Sequence, residues 1–150
     1  MKASDFYTRD LANKPVRIPL LDHRGKPTAE WLEVVGSDSD ALHEWNLAFR
    51  ERSAAIEACA TEREKEKLRR RYVLEEVAAC AAGWSLEDVF SREAVTTLLG
   101  KSDANLVAAH KAIYNDALFF GEPPTDSSDS QNTNSDSPGG QAPATPSAST

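Results

Sequence analysis

The sequence predicts a mainly α protein: a small N-terminal β-hairpin followed by a bundle of four or five helices, with a disordered C-terminal tail. Three observations carry this prediction. Apolar residues recur at three- and four-residue steps between Leu42 and Ala117, the spacing of one helical face. Only Lys14–Gly36 shows the two-residue alternation of a strand. From Glu122 to Thr150 there is no aromatic, Leu, Ile, Val, Lys or Arg, so that stretch cannot bury enough apolar surface to offset the entropy of ordering. The 150-residue chain divides into one foldable domain, residues 1–121, and an acidic Ser/Pro/Thr-rich tail, residues 122–150.

The hairpin is expected at about residues 15–36. Val16, Ile18 and Leu20 alternate, Asp22-His23-Arg24-Gly25-Lys26-Pro27 supplies turn chemistry, and Thr28–Val35 forms the second run. Pro15 and Pro19 cannot donate to a ladder, which places the first run at a sheet edge. Trp31, Leu32 and Val34 are expected to offer one face to the helices. A short helical turn within Ser4–Ala12 is compatible with the residues before it.

Helices are expected over about residues 38–120. Ser37-x-x-Asp40 resembles a capping box, with acids in the first turn where the macrodipole favours them. Leu42, Trp45, Phe49, Ile56 and Cys59 then fall on one stripe. Thr61-x-x-Glu64 is a second capping signal, so either a break falls near Thr61 or one long helix runs to about Ala82. Gly83 reads as the helix terminator, with Trp84 in the exit turn. Ser91 starts a helix that stops at Gly100. Ser102-Asp103 caps the last one, which carries Leu106, Ala109, Ile113 and Ala117 on one face and ends at Phe119-Phe120-Gly121.

Charge narrows the function. The formal net charge is −7; the tail holds four acids and no base, leaving −3 for the body. Such a body does not bind nucleic acid through bulk charge. The basic run Arg63–Arg71 is interleaved or flanked by Glu62, Glu64, Glu66, Glu75 and Glu76 at pairing distance, the pattern of a solvated helix face. No apolar run approaches the roughly 18 residues of a membrane span, and the first residues lack the apolar core of a secretory signal. Cys59 and Cys80 have no metal-type spacing and read as buried thiols of a reducing compartment.

No motif points to catalysis. The three histidines, His23, His43 and His110, form no His-x-x-x-His pair, and no Cys-x-x-Cys exists. Asp38 and Asp40 lack a calcium-loop frame, with Leu42 where a ligand is needed. Gly100-Lys101-Ser102 ends like a phosphate loop, but Val95 stands where its opening glycine belongs. No cofactor or metal is expected, and the enzyme reading comes last. Trp31, Trp45 and Trp84 read as core by their phase. The aromatics best placed to reach a partner are Trp84, Phe119 and Phe120, at helix exits beside glycine.

The order of features resembles the tail assembly chaperones of long-tailed bacteriophages. A Trp-bearing hairpin leads into Val34-Val35-Gly36-Ser37-Asp38-Ser39-Asp40, and a long charged helix follows. An Ala-rich segment then closes on Ala81-Ala82-Gly83-Trp84, before Phe90–Leu99 and a last helix ending Phe119-Phe120. The likeness covers about residues 14–121 and rests on order and spacing, with no single diagnostic motif. It implies a non-catalytic helical protein of the host cell cytoplasm, absent from the mature virion. Such a protein binds the tape measure protein, keeps it soluble and helps recruit major tail tube protein subunits. The resemblance also implies a longer second form made by ribosomal frameshifting, through which the tube protein is met. Two other readings stand beside it: a structural head–tail or minor tail protein of the virion, and a small DNA-binding regulator, which the balanced charges disfavour.

Overall fold

A computed structural model describes residues 1–121. The segment 122–150, expected to be disordered, lies outside the described residues. A 3-10 turn (Ala3–Phe6) and α1 (Arg9–Ala12) precede the hairpin strands β1 (Val16–Leu21) and β2 (Pro27–Val34). Then come α2 (Asp40–Asn46), α3 (Phe49–Glu57) and α4 (Glu62–Cys80). A third strand, β3 (Ala81–Trp84), follows, and α5 (Arg92–Gly100), α6 (Asp103–Ile113) and α7 (Asp116–Phe120) complete the described chain.

The hairpin forms for local reasons. Asp22 Oδ1 accepts from the backbone N–H groups of Arg24 and Lys26 at 2.8 and 3.0 Å, and Gly25 takes φ +79°, a left-handed conformation that glycine adopts without Cβ strain. The sheet is antiparallel in the order β1-β2-β3, so proline-bearing β1 is an edge strand, as its missing donors require. Strand alternation puts Leu32 and Val34 in the core and turns Trp31 to the other face. There Arg17 stacks 3.9 Å from its ring centre and reaches Glu33 at 3.3 Å. Trp31 therefore does not share the helix-facing side expected for it.

The third strand is the main departure from the sequence reading. The long helix stops at Cys80 and the chain continues extended, pairing Leu32 with Trp84, Glu33 with Gly83 and Val34 with Ala81. Gly83 and Trp84 thus belong to a strand rather than to a helix exit. An unpaired edge on β2 would leave backbone donors and acceptors without partners, and the Ala-rich run satisfies them despite its weak strand propensity.

The helices break where polar groups can take the released backbone. Of the two alternatives at Thr61 the chain takes the break: Thr61 Oγ1 accepts from Glu64 N at 3.2 Å while Glu64 Oε2 accepts from Thr61 N at 3.3 Å. A second break, at Leu47–Ala48, has no sequence signal. Arg52 donates to the Trp45 carbonyl freed there and stacks 3.6 Å from that ring. This break turns Phe49, expected on the buried stripe, out to 63 % exposure. The cap of α2 is Ser39, not Ser37: its hydroxyl accepts from Leu42 N at 3.3 Å and the residue is fully buried. The neighbouring acids instead fasten the N-terminal turns, Asp38 to Thr8 and His43, and Asp40 to Asn13 at 3.0 Å.

The core lies between the inner face of the sheet and α2, α4, α5 and α6, centred on Leu32, Leu42, Val77, Leu99 and Ile113. Buried Asn105 on α6 pins the β1 end by accepting from Leu21 N at 2.8 Å and donating to Leu21 O at 3.0 Å. The segment after β2 is a hub. Gly36 N donates to Ala12 O and Ser37 N to Ile113 O, each at 2.9 Å, and a Cβ on Gly36 would sit 3.0 Å from the Phe119 ring. Glycine is needed there for closeness, not for backbone conformation.

Gly36→Ala is therefore expected to cost about 1–3 kcal/mol, the range of core overpacking, and Phe119→Ala about 3–5 kcal/mol. In the double variant the new methyl enters space the ring has left, so the combined loss should fall below the sum. Chemical denaturation of the four proteins closes the cycle, and strict additivity would refute the packing account.

Candidate functional site

The long helix α4 lies between two apolar grooves. One, of about 380 Å³, runs between α4 and α6, with Val73, Leu106 and Val107 as its apolar lining and Arg69, Arg70 and Lys111 among its rim. The other, of about 280 Å³, gathers Trp45, Phe49, Ile56, Tyr72 and Tyr114. Val73 lines both. Several of these side chains keep large apolar area in water: besides Phe49, Val107 is 52 % and Tyr114 47 % exposed.

A polar ridge separates the grooves. Glu76 on α4 lies 2.9 Å from His110 Nε2 and accepts from the Tyr114 hydroxyl, also at 2.9 Å. The His110 and Tyr114 rings meet edge-on at 5.2 Å. Burial and the Glu76 carboxylate together push the Tyr114 phenol well above its ordinary range. Beneath them, burial first and the Glu76 charge second push the Cys80 thiol up to about 12. Arg70–Asp103 is a further α4–α6 bridge. On α4 itself, Lys65–Glu62, Arg69–Glu66 and Arg71–Glu75 pair at 3.6, 3.3 and 3.1 Å. This is the solvated, internally paired face expected from the charge run.

A third groove, of about 470 Å³, forms where β3 leaves the sheet, with Trp84, Leu86, Ala94 and Leu98 among its lining. Trp84 is half-buried. It meets Phe90 edge-on at 5.5 Å and 89°, and its indole N–H donates to Asp88 O at 2.8 Å. Phe119 and Phe120 sit instead on α7, which packs against α1. Phe119 is 8 % exposed, and Phe120 is half-buried at the core margin. The structure thus places the three sequence-selected aromatics in two settings, only one of them a groove.

Phe49, Val107 and Tyr114 were missed by sequence reasoning. Val107 on α6 and Tyr114 at its C-terminal cap stand seven residues apart, a second row out of phase with Leu106, Ala109 and Ile113, and that row is a readable signal. Among the described residues no group of three or more His, Cys, Asp or Glu is placed to hold a metal ion. No helix among them is long and apolar enough to cross a membrane.

Shallow apolar grooves bordered by charge are the kind of surface that marks protein-interaction sites. The sequence model of the phage tail assembly chaperone family matches residues 12–119, and the chain belongs to that family. The matched span runs from α1 into α7 and takes in all three grooves. No curated protein and no solved structure gives a significant match.

The buried thiol gives a direct check on the packing beneath the ridge. With its pKa raised from 9.0 to about 12, Cys80 stays protonated in the folded state while the unfolded chain releases the proton. The Cys80 contribution to stability should therefore fall as pH rises above about 9. In a Cys59→Ser background, a thiol reagent at pH 8 should label Cys80 only at the rate of unfolding; fast labelling of the folded protein would contradict this.

Proposed function

We propose that this tail assembly chaperone binds the tape measure protein, keeps that long apolar chain soluble and helps bring tail tube subunits to it. The family match over residues 12–119 carries the reading. The exposed apolar surface over α4 and α6 supports it, since a holding chaperone must show a client such a surface while remaining folded itself. Paired charges around the grooves keep that surface hydrated at its edges, so contact can be reversible.

On this reading the protein works by binding, without catalysis, in the host cell cytoplasm, and leaves before the virion is complete. Tail tube subunits are met mainly through a longer frameshifted form that shares the body. Phe49, Val107 and Tyr114 make the principal client contacts. Trp84 and Phe120 contribute the apolar area they leave open, and Phe119 acts through the core.

Co-expression tests this. The tape measure protein should be soluble and co-purify with the full chain, and should be insoluble without it. Phe49→Asp, at a position already exposed to water, should leave the melting midpoint unchanged and weaken capture at least about tenfold, or ~1.4 kcal/mol. Mass spectrometry of washed particles should not find the protein. Stoichiometric copies in virions would replace this reading with a structural one.

A further inference from the structure

We infer that the groove at Trp84 is a charge-selective foothold that takes an apolar segment of the client flanked by lysines or arginines. The inference rests on the client-holding reading above and adds to it a second surface with its own chemistry.

The apolar lining is prepared for contact. Trp84 is fixed by its edge-on packing on Phe90, and its indole N–H is already bonded to the Asp88 carbonyl, so what it offers a partner is ring surface. Leu86, Ala94 and Leu98 beside it are half-buried. Little ordering remains to be done on binding, which favours affinity for a given area. Val89, next to the lining residue Asp88 in the sequence, is 86 % exposed.

The charged groups are of one sign. Asp88 and Glu93 line the groove, and no Lys or Arg does. Glu87 precedes them on the loop, and Arg92 is the one base between Glu87 and Glu93. None of these three acids forms an ion pair among the described residues, whereas Glu66 and Asp103, the two acids lining the α4–α6 groove, are both paired. Unpaired carboxylates around an apolar floor attract basic flanks and repel acidic ones. The repulsion also acts within the molecule: residues 122–150, with four acids and no base, are unsuited to fill this groove and block it. The two groove systems share no lining residue, so one long client can engage both.

The test uses the full chain and two labelled peptides with the same leucine face, one flanked by lysines and one by glutamates, read by fluorescence anisotropy. The lysine peptide should bind at least tenfold more tightly, and Asp88→Lys with Glu93→Lys should reverse the preference. The same charge change at Glu44→Lys with Glu57→Lys should leave it in place, which separates the groove from the net charge of the chain. Should the reversal variant lose its fold, Asp88→Asn with Glu93→Gln should bring the two affinities together. Equal binding of both peptides by the wild type, or a preference untouched by the groove variants, overturns the inference. Capture of the tape measure protein is measured alongside. If the wild type captures it but the peptides show no groove-dependent preference, the foothold fails and the chaperone reading stands. If the wild type captures no tape measure protein, that reading fails, and the peptide reversal still decides the chemistry of the groove.

Discussion

The structure depends on the direct passage of α4 into β3. Helix and strand meet at Cys80–Ala81 with no loop between them, and the strand pairs at once with β2. Val35 N donates to Cys80 O at 2.9 Å, so the carbonyl released where the helix ends is taken up by the hairpin. The longest helix is therefore fixed in direction by the sheet, and α2, α3, α5 and α6 all pack against it. Its flanks line two of the grooves, and the residues that follow its strand line the third. A shift of this joint would move all three surfaces.

A second constraint acts next to this joint, where the chain leaves β2. Around Gly36, backbone bonds to Ala12 and Ile113 and the face of Phe119 bring the first and last helices of the body onto the end of the hairpin. Polar clasps from distant parts of the sequence hold both ends of the hairpin: Asn13 with Asp40 beside Gly36, and Asn105 with Leu21 at the turn end. Such bonds contribute modestly each, about 1 kcal/mol. The part-buried Asn105 pair also penalises other arrangements, since breaking it leaves a buried amide unpaired. A body that exposes Phe49 and Tyr114 needs such specificity, because apolar grooves could otherwise fill by collapse of the chain's own side chains.

What was legible in the sequence follows the range of the forces involved. The hairpin, the edge position of β1, the Thr61 box and the Ser91 cap are set by residues within a few positions of each other, and they stand as expected. Ser91 Oγ, for instance, accepts from Ala94 N at 3.0 Å. The cap at Ser39 rather than Ser37 was not legible, because Asp38 and Asp40 are drawn to Thr8, His43 and Asn13, contacts that only the fold creates. Strand β3 was not legible because Ala81-Ala82-Gly83-Trp84 has little strand preference of its own; the open edge of β2 imposes it. The site divides in the same way. Trp84 stood out as an aromatic at the end of a helix. Phe49 did not, since its spacing fits a buried stripe, and a break with no glycine or proline, held by Arg52, turned it outward.

The surfaces differ in a way that bears on how a chaperone holds and releases a chain. Around α4 most of the charges near the grooves are mutually paired, so an approaching segment gains mainly by burying apolar area, which depends little on the sign of its flanks. At Trp84 the acids have no ion pair among the described residues, and on the proposed reading they sort segments by charge before apolar contact is complete. On the proposed reading each shallow groove alone would hold a client weakly. Two weak contacts on one continuous chain raise each other's effective concentration, yet each can open separately. A long client could then be held along its length without being trapped at any one point, and an incoming subunit need compete with only one foothold at a time.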